Sequence, residues 1–121
     1  MTARPKILVV DDEAPVRQAL ALLLASFADV IVAAGAGEAL ARLAHEPCDA
    51  VLTDYGMSGG DGCWLLEAVR AEHPGVKRLL MSGSCPPMSV GVDQTVQAML
   101  QKPFAEHEVY AALHAVGYPE P

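Results

Sequence analysis

Four small polar anchors stand where apolar runs end. Ile7-Leu8-Val9-Val10 runs into Asp11-Asp12, Ala50-Val51-Leu52-Thr53 into Asp54, Arg78-Leu79-Leu80-Met81 into Ser82, and Ala98-Met99-Leu100-Gln101 into Lys102. Three carboxylates, a hydroxyl and an ammonium are the parts of a phosphoryl-transfer site. Asp11, Asp12 and Asp54 offer hard oxygen ligands, which suit a Mg²⁺ ion that keeps several waters and holds a substrate phosphate. Such an ion would screen an incoming phosphoryl dianion from Asp11 and Asp12, which leaves the isolated Asp54 as the natural nucleophile of aspartyl-phosphate chemistry. Ser82 can donate to one phosphoryl oxygen and Lys102 can neutralise another. Each anchor also has an ordinary use: Asp12 as a helix cap, Asp11 as a solvated neighbour, Asp54 and Ser82 as turn formers, Lys102 as a surface charge. The weight lies in their joint order at the ends of apolar runs.

The elements that must hold these anchors alternate. Short β-like runs and longer segments of helical period succeed one another, the pattern of βαβ units and a parallel sheet. The spacing predicts a strand over Lys6 to Asp11 and a helix over Glu13 to Phe27, with Val16, Leu20, Leu23, Leu24 and Phe27 as its inner stripe. A strand over Val30 to Ala33 and a helix over Gly37 to His45 follow, with Ala39, Leu40 and Leu43 inward and Pro47 ending the helix. Asp49 to Asp54 is the third strand. Asp61, in the turn Gly59-Gly60-Asp61-Gly62, can cap a third helix that carries Trp64, Leu65 and Val69 to His73-Pro74. Val76 to Ser82 and Ala98 to Gln101 are the last strands, and Glu106 to Val116 the last helix, with Val109, Leu113 and Val116 on one face. Between Gly83 and Gln97, Cys85-Pro86-Pro87 and Gly91 predict a fourth helix that is short or irregular. In an open parallel sheet the ligand site lies at the carboxyl ends of the strands, near the reversal of strand order, where all four anchors would meet.

Composition narrows the classes. At 121 residues, 52% hydrophobic and 19% charged, the chain is expected to form one domain over 1–121, with its core at about 5–117. A formal net charge of −7 with 8 Lys and Arg argues against a nucleic-acid surface on this chain. No apolar stretch reaches the length of a bilayer span, so no membrane insertion is expected and a cytoplasmic location is. Cys48, Cys63 and Cys85 form neither a CxxC pair nor a Cys/His cluster and are expected as free, mostly buried thiols. His45 and His73 fall at helix ends and His107 and His114 on the last helix, none placed as a ligand or phosphodonor. Trp64 and Tyr110 are expected to be packing residues.

The motifs Ile7-Leu8-Val9-Val10-Asp11-Asp12-Glu13, the stretch DYGMSGGDG from Asp54 to Gly62, Met81-Ser82-Gly83, and Lys102-Pro103-Phe104 occur together and in this order. In these, over nearly its whole length, the chain resembles the receiver domain of bacterial two-component response regulators. The resemblance implies a doubly wound, flavodoxin-like α/β fold with a five-stranded parallel sheet in the order 2-1-3-4-5. It implies Asp54 as phosphoacceptor, Asp11 and Asp12 as the acidic Mg²⁺ pocket, the Gly56 backbone carbonyl as a further ligand, and Ser82 and Lys102 as sensors of the phosphoryl group. It also implies a cis peptide before Pro103. The phosphodonor would be a phosphohistidine on a sensor histidine kinase or a histidine phosphotransfer protein, and a downstream protein partner would read the changed state. Met81-Ser82-Gly83-Ser84 with Met99 to Phe104 looks most like receivers fused to hybrid sensor kinases.

Three positions depart from the family pattern. Ser58 stands where proline often follows the methionine, Met99 stands where many receivers carry a switching aromatic residue, and the Gly83 to Gln97 stretch is broken by prolines. A second reading is therefore a pseudo-receiver, a phosphorylation-independent protein-binding module on the same fold. A hydrolytic phosphatase fits less well, since Gly56 stands where a second acid/base carboxylate would be. A flavin site lacks a Ser/Thr-rich loop after the first strand.

Overall fold

The computed structural model describes residues 4–56, 62–83 and 94–118. Along these, five strands and four helices follow one another as β1 (Lys6–Val10), α1 (Ala14–Leu24), β2 (Asp29–Ala33), α2 (Ala36–His45), β3 (Ala50–Asp54), α3 (Gly62–Glu72), β4 (Lys77–Ser82), β5 (Ala98–Gln101) and α4 (Glu106–Ala115). The strands form one parallel sheet in the order β2-β1-β3-β4-β5. The expected fold class and strand order are therefore found. The order reverses at β1, which pairs with β2 on one side and β3 on the other.

Alternation along the strands sorts the apolar residues into two cores. Ile7 and Val9 of β1, Leu52 of β3, and Leu79 and Met81 of β4 face α1 and α4, where Leu20, Leu24, Val109 and Leu113 cover them. Leu8, Val10, Val51 and Leu80 face the other way, under Ala39 and Leu43 of α2 and Leu65, Leu66 and Val69 of α3. Because helices cover both faces, β1, β3 and β4 read as continuous apolar runs.

Element ends follow local chemistry. Glu46 takes the extended conformation (φ −129°, ψ 126°) that a following proline imposes, so α2 stops at His45. On α4, Glu108 accepts the Ala105 N–H at 2.9 Å, one half of a capping box. The first helix is shorter than its apolar stripe suggests. It ends at Leu24 because the Arg4 guanidinium draws the Ala25 and Ala28 carbonyls at 2.6 and 2.8 Å, while Phe27 still packs on the core beyond the helix.

Two side-chain expectations need correction, and one ordinary alternative is not found. Trp64 is 51% exposed and not a core residue, because the buried face of α3 is Gly62, Leu65, Leu66 and Val69 and Trp64 lies outside that stripe. Cys48 and Cys63 are outside any disulfide, as expected, but only half-buried. Asp12 does not cap α1. The N-cap is Glu13, and Asp11 accepts its N–H at 2.9 Å. Asp61, Ser58, Cys85 and most of the expected fourth helix lie outside the described residues.

Candidate functional site

The site grows from four strand ends. Asp11 follows β1, its backbone N–H bonded to the Ala33 carbonyl at 3.1 Å, and Asp54 closes the neighbouring β3. Both flank the reversal of strand order, where open α/β sheets place their ligands. Ser82 ends β4 and Lys102 follows β5, and the Lys102 N–H donates to the Ser82 carbonyl at 2.7 Å. One ladder bond thus sets the hydroxyl and the ammonium side by side.

Lys102 joins the two carboxylates across the sheet. Its Nζ lies 2.7 Å from Asp11 Oδ2 and 3.2 Å from Asp54 Oδ1. Asp11 is fully buried, Asp54 and Ser82 are nearly so, and Asp12 is exposed. Burial raises the Asp54 carboxyl above its ordinary range; the charge and hydrogen bond of Lys102 oppose this, and Asp11 and Asp12 add to it. For Lys102, burial works downward, but the hydrogen bond and charge of Asp11, then those of Asp54, outweigh it and hold the ammonium above its usual value. Burial and the neighbouring acids thus work against the Asp54 charge, and the Lys102 ammonium, itself held by both carboxylates, works for it.

The carboxylate oxygens of Asp11, Asp12 and Asp54 lie within 4.8 Å of one another. With Mg–O bonds of about 2.1 Å, opposite ligands of an octahedral ion are about 4.2 Å apart, so this donor set fits Mg²⁺ with slight closure. The set is all oxygen, anionic and open on the exposed Asp12 side, as an ion that retains waters requires. Gly56, expected to add its carbonyl, is exposed beside the site, and a Cβ there would meet nothing within 4 Å, so no close approach requires glycine at that position.

Asp54, Ser82, Lys102, Gly56, Gly83, Tyr55 and Glu13 line a polar notch of about 230 Å³. Against it lies an apolar groove of about 530 Å³ between α1 and the Lys102-Pro103-Phe104 turn, lined by Pro15, Val16, Ala19, Leu20, Leu23 and Phe104. Gly83 and Lys102 belong to both. The Lys102–Pro103 peptide is cis, as the resemblance implies.

All the candidate side chains meet at one sheet edge, and the structure adds two residues to them. Gly62, which reads as turn chemistry, is the buried first residue of α3. Its N–H donates to the Tyr55 carbonyl at 2.9 Å, and a Cβ there would overlap the Asp54 carbonyl oxygen and stand 2.8 Å from Leu80 Cδ1. Only glycine lets α3 start this close to the nucleophile's own backbone. Glu13, which reads as helix start, faces the notch. A run of three acids was the signal for it; nothing in sequence distinguishes Gly62 from the glycines just before it.

Residues 7–114 match the family described as the response regulator receiver domain. The chain belongs to that family. The receiver is 34% identical over 122 residues to the response regulator protein FleR of Pseudomonas aeruginosa, a match covering 93% of this chain and 25% of FleR. It is also 34% identical over 109 residues to the C4-dicarboxylate transport transcriptional regulatory protein DctD of Rhizobium meliloti, covering 87% of this chain and 24% of DctD. The signal receiver domain of an HD domain-containing protein from Pseudomonas fluorescens Pf-5 superposes with a TM-score of 0.86 at 28% identity over 93% of both chains. The receiver thus spans about a quarter of the length of these curated relatives, which are named as a response regulator and a transcriptional regulatory protein. No helix among the described residues is long and apolar enough to cross a membrane.

Proposed function

We propose that this receiver is a phosphoacceptor: Asp54 attacks a phosphohistidine on a sensor histidine kinase or phosphotransfer protein and carries the phosphoryl group as an acyl phosphate. The observation that carries this reading is the Lys102 bridge, one ammonium within 3.2 Å of two buried carboxylates beside a polar notch. Asp11, Asp12, Asp54 and the Gly56 carbonyl would hold Mg²⁺, which when bound offsets negative charge on the phosphoryl oxygens. Ser82 and Lys102 take the remaining phosphoryl oxygens, so transfer draws both strand ends toward the group.

The apolar groove shares Lys102 and Gly83 with the notch, which suits it to seat the donor protein while its phosphohistidine reaches Asp54. The chain modifies itself and turns over no external substrate. A protein partner reads the result, and any nucleic acid is reached through linked domains, as the name of DctD suggests for that protein. We place this work in the cytoplasm and in residues 1–121 acting as one unit.

The pseudo-receiver reading is not favoured, because the carboxylates, hydroxyl and ammonium that phosphoryl transfer needs are all present and converge. Met99 is half-buried against the α2 and α3 core. A methionine there supports repacking rather than an aromatic swing. Intact-mass spectrometry after incubation with acetyl phosphate tests the reading. One Mg²⁺-dependent phosphoryl adduct on the parent and none on Asp54→Asn is expected; equal labelling of the two would overturn the assignment.

A further inference from the structure

Glu13 is the residue of the notch that the phosphoacceptor reading does not use. Its backbone is pinned to the acidic pocket: its N–H donates to Asp11 Oδ1 at 2.9 Å, and its carbonyl accepts the Val16 and Arg17 N–H groups at 3.1 and 3.2 Å. The helix start therefore holds Glu13 in place at the mouth. Its exposed side chain makes no hydrogen bond or ion pair among the described residues, and the nearby Arg17 guanidinium is taken by the Asp11 carbonyl at 2.7 Å. Around the notch stand four carboxylates, Asp11, Asp12, Glu13 and Asp54, against the ammonium of Lys102 and the guanidinium of Arg17. A bound divalent ion brings this formal sum to zero, so the charge carried by Glu13 decides whether the mouth is neutral or positive. Among the described residues Glu13 is the carboxylate of this group that is exposed at the entrance and lies outside the Lys102 bridge and the Asp11, Asp12 and Asp54 cluster, so its charge faces an approaching donor directly.

We propose that Glu13 is a specificity-determining residue that selects phosphodonors by charge, admitting N-linked phosphoryl donors of low net negative charge over doubly anionic acyl phosphates. The inference rests on Asp54 being the phosphoacceptor. In either reaction an Asp54 oxygen forms the new O–P bond as the donor's P–O or P–N bond breaks. The electron pair leaves with acetate, or with a nitrogen that the donor itself holds protonated, so no oxidant, reductant or further reactant is needed. Glu13 touches none of these atoms. It acts through its field on the approaching donor, which scales with the donor's charge and fades with salt.

The test compares the parent and Glu13→Gln at saturating Mg²⁺, with acetyl phosphate as the dianionic donor and phosphoramidate as the donor whose protonated nitrogen offsets one charge. Because Coulomb energy is proportional to donor charge, the acceleration for the dianion is roughly the square of that for the monoanion, about fivefold against about twofold at low salt. Near 1 M salt, where the Debye length is about 3 Å, both factors fall toward one. Trp64, the sole tryptophan, provides a second readout by its fluorescence: the anionic phosphoryl mimic beryllofluoride binds about twofold tighter to Glu13→Gln. Equal acceleration with the two donors, or an acceleration that survives high salt, overturns the inference and leaves the phosphoacceptor reading standing. A parent labelled by neither donor removes that reading and the inference with it.

Discussion

Asp54→Asn is expected to make the receiver more stable in the absence of divalent ions. The carboxylate is buried, faces two like charges and has one cation to balance them. With Asp11 and Asp12 oxygens within 4.8 Å and Lys102 Nζ at 3.2 Å, removing the Asp54 charge relieves two repulsions and gives up one attraction. At effective dielectric constants between 80 and 20 the net relief is about 0.4 to 1.7 kcal/mol, and the burial cost of the charge adds to it. For a chain of this length that is roughly 2 to 7 °C in melting temperature.

The pH dependence carries the sign. The folded-state pKa of Asp54 is raised above 3.8, so the native state holds its proton more tightly than the unfolded chain does. Stability contributed by this group is present below the unfolded value and is lost as pH rises through the folded one. The gap between variant and parent should therefore be absent near pH 3 and full at neutral pH. Thermal melts in EDTA at several pH values measure it. Added Mg²⁺ should stabilise the parent more than the variant, which lacks one ligand, and close the gap. A variant less stable than the parent at neutral pH in EDTA, or one stabilised equally by Mg²⁺, would refute the reasoning.

Two other perturbations test how the frame holds the site. Arg78 is 4% exposed and donates to the Thr95, Val76, Gln94 and Pro74 carbonyls at 2.9, 2.9, 2.9 and 3.3 Å, so Arg78→Met should lower the urea midpoint by the equivalent of about 2–4 kcal/mol. Arg70→Met, which loses only exposed bonds to the Gln94 and Thr95 side chains, should cost under about 1 kcal/mol, and equal losses would contradict this placement of Arg78. Gly62→Ala must displace either α3 or the Asp54 backbone, so it should slow labelling by acetyl phosphate as well as destabilise by about 1–3 kcal/mol. Unchanged labelling kinetics would show that the close approach does not position the nucleophile.

Much of this arrangement was legible in the chain because punctuation and chemistry coincide. Asp54 and Ser82 end their strands, Asp11 follows its own directly, and Pro47 sits one residue past the break it causes, so the strands and the anchors are legible to within a residue or two. What escaped depends on distant groups. Arg4 shortens α1 by holding carbonyls more than twenty residues away, and Trp64 lies one step off a stripe whose direction only the packed sheet sets. Arg78 reads as a charge at a strand start until the carbonyls of two loops converge on it. Gly62 reads as one more turn glycine until the Asp54 carbonyl is seen against its Cα.

The most direct test of the account is to locate the phosphoryl group. After labelling with a phosphodonor and Mg²⁺, borohydride reduction converts an acyl phosphate to a homoserine, which peptide mass spectrometry can place. The account predicts one homoserine, at position 54, absent without Mg²⁺ and absent from Asp54→Asn. Conversion at Asp11 or Asp12 in place of Asp54, or labelling that no borohydride step can trap, would contradict it.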